Sequence, residues 1–348
     1  MTSRLTSFLR FLIPLLLAIL LLYFAFQNIE LKEFFAKISE VNFWWVIASI
    51  LLSLISYIAR AYRWNILLNP LGYYPNTYRT TLAVLVGYLA NLAFPRLGEV
   101  TRCGMLKRTN DVPLSTSFGT VITERLLDAV TLLALIGLSF ILEYERIITF
   151  LEGVFESYNI DFTNILIGLG VLAVIGLIIF IIFFVKENKY SARVRTFVRE
   201  LYEGIVSIRR LRNLSGFLVS SVILWVTYYL MSYLIVFSLE ETSFLDISAG
   251  FMLLVTGGIA LTLPVQGGIG TYHTLVTAML SLYGIAKTTG LFLATLLHTS
   301  QLLAIALFGG IALLLAAGIS KRKRGSETNK DQNSDPDRSP ASDQKVEA

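Results

Sequence analysis

NLAFPRLGEVTRCGML, residues 91–106, ends an apolar run that begins at Thr80 and then places Pro95, Arg96, Gly98, Glu99 and Arg102 in quick succession. Ionisable groups inside a bilayer are costly and usually face a protein interior or a wet cavity. Whether this stretch leaves the membrane or turns back within it decides the fold.

The rest of the chain shows that a membrane is its setting. It has 348 residues, 55% hydrophobic and only 15% charged, with a mean hydropathy of +0.67; soluble domains carry about 25% charge. Six stretches approach or exceed the ~20 residues needed to cross a ~30 Å hydrocarbon core: Leu9 to Phe26, Trp44 to Leu68, Ser117 to Leu142, Ile165 to Val185, Phe217 to Leu239 and Gly290 to Ile319. Thr80 to Phe94 and Ile247 to Leu263 are apolar but shorter. The first run follows Arg4 and Arg10 but ends in YFAFQNIELKEFF, which has no small-residue cleavage site, so it reads as an anchor and not a signal peptide. A lone cysteine, Cys103, excludes an internal disulfide and a multi-cysteine metal site, and two histidines, His273 and His298, exclude a histidine-rich one. No cofactor or metal is expected. The net charge of +5 resides in loops between apolar runs, where membrane orientation accounts for it and nucleic acid need not be invoked.

Loop charge orients the spans, because lysine and arginine gather in short cytoplasmic loops. Lys186 to Arg212 is strongly basic, whereas Glu143 to Asp161 and Glu240 to Asp246 are acidic. The basic amino-terminus and the cluster Lys321 to Arg324 both belong inside, with residues 1–320 forming the membrane domain. Residues 321–348, without an aromatic residue, form a cytoplasmic tail expected to be disordered. The expected location is the inner (cytoplasmic) membrane, multi-pass, with both termini cytoplasmic. Arg60, Arg63 and Arg79 precede Thr80 to Phe94, yet Arg96 to Arg108 follows it and carries the same sign. A segment that enters, breaks at Pro95 and returns reconciles the two. AFPRLG at 93–98 and TLPVQG at 262–267 share an apolar-Pro-x-x-Gly pattern and would dip in from opposite leaflets. Interrupted helices in inverted halves point to a transport site near the midplane. The expected fold class is an all-α polytopic membrane protein of about six full transmembrane helices plus two re-entrant helical hairpins in inverted halves. The alternative is that both prolines lie in ordinary loops and all eight segments span.

Pro95 removes a backbone donor and Gly98 permits unusual dihedrals, which would leave amides near Arg96 to Glu99 open to a ligand. Arg96 and Arg102 suit phosphate oxygens through the planar guanidinium fork, with Glu99 orienting them; headgroup contact is the plainer account, above all for Lys107 and Arg108. Glu124, Arg125 and Asp128 stand in an apolar run, with Glu124 and Asp128 four apart on one helical face. They read as a cavity network or as an ion-pair cluster fastening helices, and the two are compatible. Arg60 and Arg63, beside Tyr62 and Trp64 at a span's inner end, read first as residues snorkelling to headgroups; the alternative makes Arg60 a second phosphate ligand. Gly267, Gly268 and Gly270 offer amides ahead of a helix start at Thr271, with Gln266, Tyr272 and His273 as neutral donors. His273 reads as a structural hydrogen-bonding group or as a proton-coupling one.

The order RAYRW (60–64), PRLGEVTR (95–102), ERLLD (124–128) and PVQGGIG (264–270) resembles the transmembrane flippase-like domain of lysylphosphatidylglycerol synthases, which also occurs alone in bacterial and archaeal membrane proteins. The resemblance covers approximately residues 8 to 319. It implies a role in moving lipids between leaflets, with Arg96, Glu99, Arg102, Glu124, Arg125, Asp128 and Gly267 to Gly270 at the centre. Two departures matter: the synthases append a soluble aminoacyl-transferring domain that is not found after residue 320, so synthase activity is not expected, and a glutamate that often follows the glycine motif is here His273.

The expected function is translocation of a lipid or lipid-linked glycan whose phosphate-bearing headgroup enters a polar cavity, without catalysis. No Walker motif is present. The expected partners are membrane lipids or a lipid-linked glycan and no nucleic acid, with a separate lipid-modifying enzyme as a candidate. The alternatives are a non-catalytic membrane partner protein in envelope synthesis and an intramembrane lipid-modifying transferase.

Overall fold

The computed structural model describes residues 16, 19–27, 29–94, 97–149, 167–168, 170–171, 174–178, 211–263 and 265–333, the side chains of Gln266 and of residues 319–333 excepted. Arg96, Pro95, Pro264, most of the first apolar run and of the Ile165 to Val185 run, the basic loop 186–210 and residues 334–348 of the tail therefore lie outside the described residues, while residues 321–333 of that tail, expected to be disordered, are helical. All regular structure within them is helical, as an all-α polytopic membrane protein requires. Residues 19–26 are helical. They are followed by α1 (Leu31–Ala36), a 3-10 turn Lys37–Glu40, α2 (Phe43–Leu68), α3 (Thr77–Ala93), α4 (Leu97–Asn110) and α5 (Leu114–Leu142). After the undescribed stretch come α6 (Leu214–Val236), α7 (Ile247–Thr262), a 3-10 turn Gln266–Gly268, α8 (Thr271–Ser281) and α9 (Lys287–Asn333).

Side-chain oxygens supply caps at the starts of these helices. Asn42 accepts from the Trp44 amide at 3.1 Å, Asn76 from Tyr78 at 2.8 Å, Asn213 from Gly216 at 2.9 Å and Asp246 from Ala249 at 2.9 Å. Each satisfies an amide that has no partner within its helix. Among the described residues, four helices have the length and apolarity to cross a membrane: Phe43–Leu71, Leu114–Leu142, Leu214–Val236 and Lys287–Gly318. The other two expected spans fall on the largely undescribed runs.

The two proline breaks are where the sequence puts them. α3 stops at Phe94, extended at φ −142° and ψ 129°, directly before Pro95. α7 stops at Leu263, extended at ψ 147°, directly before Pro264. A proline ring clashes with a helical conformation in the preceding residue, and this ends both helices.

Each break opens a hairpin whose arms run antiparallel. In the first, Asn91 near the end of α3 accepts from the Gly98 amide at 2.6 Å, while Arg79 at the start of α3 donates to the Thr109 carbonyl at 2.8 Å. Residues 77 and 110 are therefore at the same end of the molecule. In the second, Thr271 at the start of α8 donates to the Ala260 carbonyl at 3.1 Å; at the other end Arg146 lies over the Tyr283 ring and near Asp246. The arms have 17 and 14 residues in one hairpin and 16 and 11 in the other. All are short of the ~20 needed to span. The mouths face opposite ends, and the Gln266–Gly268 turn touches α3, so the tips approach each other inside the bundle. α9 packs along α3 and α8, and α2 along α6.

Close approach explains one conspicuous glycine. A Cβ on Gly98 would lie 2.2 Å from the Gly87 carbonyl oxygen and 2.6 Å from Asn91. Gly98 lets the arms meet; its φ is not positive. The expected unusual dihedral at Gly98 is not found.

Candidate functional site

Between the first hairpin and helices α2, α5 and α6 lies a buried cluster of charge. Arg60 stands 8 residues before the end of α2 and Glu124 10 after the start of α5. At 1.5 Å per residue these lie about 12 and 15 Å in from the helix ends, so the cluster is set well inside both helices. Arg60 is 3% exposed, Arg63 1%, Arg102 3% and Glu124 0%.

Glu124 is the hub. Its Oε1 accepts a short bond from Arg60 Nη1 and lies 3.5 Å from Arg63 Nη2, and its Oε2 accepts from Arg102 Nη1 at 3.0 Å. Asp128, one turn on, accepts from Arg63 Nη2 at 2.6 Å and from Arg60 Nη1 at 3.1 Å. Arg60 Nη2 donates to the Tyr228 hydroxyl of α6 at 3.0 Å. The Arg102 guanidinium lies 4.7 Å from the centre of the Trp64 ring, whose Nε1 donates to Thr120 at 2.8 Å. The helical spacing of Glu124 and Asp128 thus puts both carboxylates against arginines from two other elements. At the rim, Arg125 is held loosely, 3.6 Å from Glu99 and 4.0 Å from Asp128.

Three buried guanidiniums face one buried carboxylate, Glu124, and one part-buried one, Asp128, so the core of the cluster carries an uncompensated positive charge. Several of its donors are also unused: Arg60 Nε, Arg63 Nε, Arg102 Nε and Arg102 Nη2 are buried without a hydrogen-bond partner. An unpaired buried donor costs about 1–3 kcal/mol, more when charged, which gives an anion a reason to bind.

Arg60, Arg102, Glu124, Arg125, Asp128 and Glu99 are thus brought together, and Arg96 lies outside the described residues. The snorkelling account of Arg60 and Arg63 is wrong: α2 continues through Asn65 to Leu68, and both arginines turn inward to the carboxylates. Trp64, expected at the interface, is fully buried. Arg63, Trp64 and Tyr228 were missed as members. The apolar NILL after RAYRW signals that the arginines lie inside the span, but nothing in the sequence marks Tyr228.

The glycine turn behaves differently. Gly267, Gly268 and Gly270 all have positive φ, 60°, 72° and 85°, a region that suits glycine. Their amides were expected to be open to a ligand. Instead the Gly268 amide donates to the Val265 carbonyl at 3.2 Å and the Gly270 amide to His273 Nδ1 at 3.3 Å. His298 Nε2 donates to the Gly267 carbonyl at 2.8 Å and its ring stacks on Tyr272 at 5.0 Å. His273 braces the turn, in keeping with the structural reading. Likewise, the amides expected to be free beside Arg96 are used at 97 and 98, by the Phe94 carbonyl and Asn91. The Gln266 side chain lies outside the described residues.

The family described as Lysylphosphatidylglycerol synthase TM region matches residues 11–309. A UPF0104 membrane protein of Methanocaldococcus jannaschii is 22% identical over 90% of this chain and 97% of its own length. A UPF0104 membrane protein of Pyrococcus horikoshii is 24% identical over 88% of this chain and 96% of its own. The Glycosyltransferase AglD of Haloferax volcanii is 22% identical over 88% of this chain, which spans only 54% of that protein. No solved structure matches.

Proposed function

We propose, from the premise that the chain belongs to the Lysylphosphatidylglycerol synthase TM region family, that it translocates a lipid or lipid-linked glycan by its phosphate-bearing headgroup, forming and breaking no covalent bond. The observation that carries this reading is the buried arginine excess set two turns or more inside helices of membrane-spanning length, beside a helical hairpin too short to span. A headgroup phosphate drawn into lipid loses its hydration, and guanidinium forks replace it with charge-assisted hydrogen bonds. Glu124 and Asp128 hold the arginines in place when no substrate is bound. Acyl or prenyl chains remain in the surrounding lipid.

The end of the molecule bearing Arg79, Lys107, Arg108 and Arg212 is the cytoplasmic one in this reading, and the end bearing Glu143, Glu240, Glu241 and Asp246 faces outward. The protein then resides in the cytoplasmic membrane with its carboxyl-terminus inside. The name of the Haloferax relative, a glycosyltransferase, favours a lipid-linked glycan as cargo, with a separate lipid-modifying enzyme as supplier.

Proteoliposomes with a headgroup-labelled phospholipid and, in parallel, a labelled lipid-linked glycan in one leaflet and an impermeant reagent outside test the proposal. The wild-type protein moves label across without changing the lipid's mass. Arg102→Lys keeps the charge opposite Glu124 but loses the fork, and slows movement about 10- to 100-fold, the range set by one charge-assisted hydrogen bond. Rates equal to those of protein-free vesicles overturn it in favour of a non-transporting partner protein; an altered lipid mass does so in favour of a transferase.

A further inference from the structure

Among the atoms of the cluster, two spare groups have opposite character and sit one helical turn apart. Arg102 Nη2 is a buried donor with no hydrogen-bond partner, and Glu99 Oε2 is a buried acceptor with none. Both project from the same face of α4, at i and i+3. They form no salt bridge with each other, since Arg102 pairs with Glu124 and Glu99 with Arg125.

Glu99 also stands nearest the accessible edge of the site, with Arg102 buried behind it. The Arg102 side chain is 3% exposed and the Glu99 side chain 23%, while Arg125, which holds Glu99 only at 3.6 Å, is 42% exposed. Glu124 and Asp128 are each held by at least one arginine hydrogen bond of 3.1 Å or less, whereas Glu99 has only the looser Arg125 contact. Glu99 is free to exchange this partner for another without disturbing Glu124.

Resting on the translocator reading, we propose that Arg102 Nη2 and Glu99 Oε2 form a two-point headgroup seat that selects phosphodiesters carrying a hydrogen-bond donor, such as an ammonium or hydroxyl, beside the phosphate. The phosphate takes Arg102 and the donor takes Glu99. A headgroup ending in a quaternary ammonium satisfies Arg102 but leaves Glu99 without a hydrogen bond, because its cation has no N–H. Ground for discrimination is strong here: a site built to hydrogen-bond a group rejects the analogue lacking it more sharply than an apolar pocket rejects a methylene. The core arginine excess equals one unit of charge, which one phosphodiester neutralises.

Trp64 supplies the readout, since the Arg102 guanidinium lies 4.7 Å from its ring centre and an anion on Arg102 perturbs its fluorescence. In a variant retaining Trp64 as the sole tryptophan (Trp44→Phe, Trp45→Phe, Trp225→Phe), purified in detergent, fluorescence is titrated with dihexanoyl phosphatidylethanolamine, phosphatidylglycerol and phosphatidylcholine. The ethanolamine and glycerol lipids bind at least about tenfold more tightly than the choline lipid. Glu99→Ala brings the three within about twofold of one another while phosphate-dependent quenching persists, and Glu99→Gln retains part of the preference for the glycerol lipid. Equal binding of all three lipids to the parent, a preference unchanged in Glu99→Ala, or no response to any of them overturns the seat. Selective binding without movement in vesicles leaves the seat standing and removes the translocator reading; movement without selectivity does the reverse.

Discussion

The two hairpins are built alike and filled differently. Both stop at an extended residue before proline, return antiparallel and leave short arms. The first is packed beside four arginines and three carboxylates. The second turns on three positive-φ glycines braced by His273 and His298. The same fold device thus serves once to enclose charge and once to build a neutral turn. What distinguishes them is whether the neighbouring span brings carboxylates to the tip. α5 brings Glu124 and Asp128 to the first, whereas α9 brings His298 to the second.

This contrast predicts unequal sensitivity, and the largest effect belongs to the charged side. Glu124→Ala strands the buried Arg102 guanidinium and leaves Arg60 and Arg63 to share Asp128, and it lowers stability by about 3–5 kcal/mol, read as a fall in melting temperature in detergent; an unchanged melting temperature would mean the cluster is hydrated and not buried. Next comes the hairpin seam. Gly98→Ala forces a Cβ against the Gly87 carbonyl oxygen at 2.2 Å, overpacking that costs about 1–3 kcal/mol, whereas Gly104→Ala on the same helix, with nothing within 4 Å, is harmless in the same melt.

The neutral turn responds more weakly. His298→Phe preserves a ring to stack on Tyr272 but removes the donor to Gly267, a loss of about 1 kcal/mol, with lipid movement less affected than by Arg102→Lys. A comparable loss of transport would make the second hairpin an equal part of the site.

The smallest effect lies at the acidic end, outside the spans. Glu241 accepts from Lys37 Nζ at 2.8 Å and from Thr289, and these bonds hold its carboxyl below the ordinary value of 4.5. A depressed carboxylate stabilises the fold above its unfolded value and loses that contribution as pH falls from about 4.5 toward the folded one. Melting temperatures of wild type and Glu241→Gln therefore differ most near neutral pH and converge as the medium is acidified below that value. A gap that widens on acidification reverses the sign and the assignment.

Much of this architecture was legible beforehand. Phe94 and Leu263 end their helices because a proline follows each, a purely local steric matter. The opposed hairpins followed from loop charge combined with the shortness of Thr80 to Phe94. Glu124 and Asp128 stood out because carboxylates four apart in an apolar run have few other uses. Arg63, Trp64 and Tyr228 did not: an arginine near a span end and an aromatic beside it look the same whether they reach outward or inward. The Gly268 and Gly270 amides looked open because the carbonyl and the histidine that engage them are brought to them by the folded turn.

The sequence alone determined the membrane setting, the helical class and the places where two helices break, because hydrophobic length and proline sterics act over neighbouring residues. The tertiary structure decided which charges meet. Arg60 and Glu124 are 64 positions apart and their pairing depends on α2 and α5 lying side by side. In lipid an arginine reaches water or finds a carboxylate, and packing, acting over distances no local pattern records, selects between them.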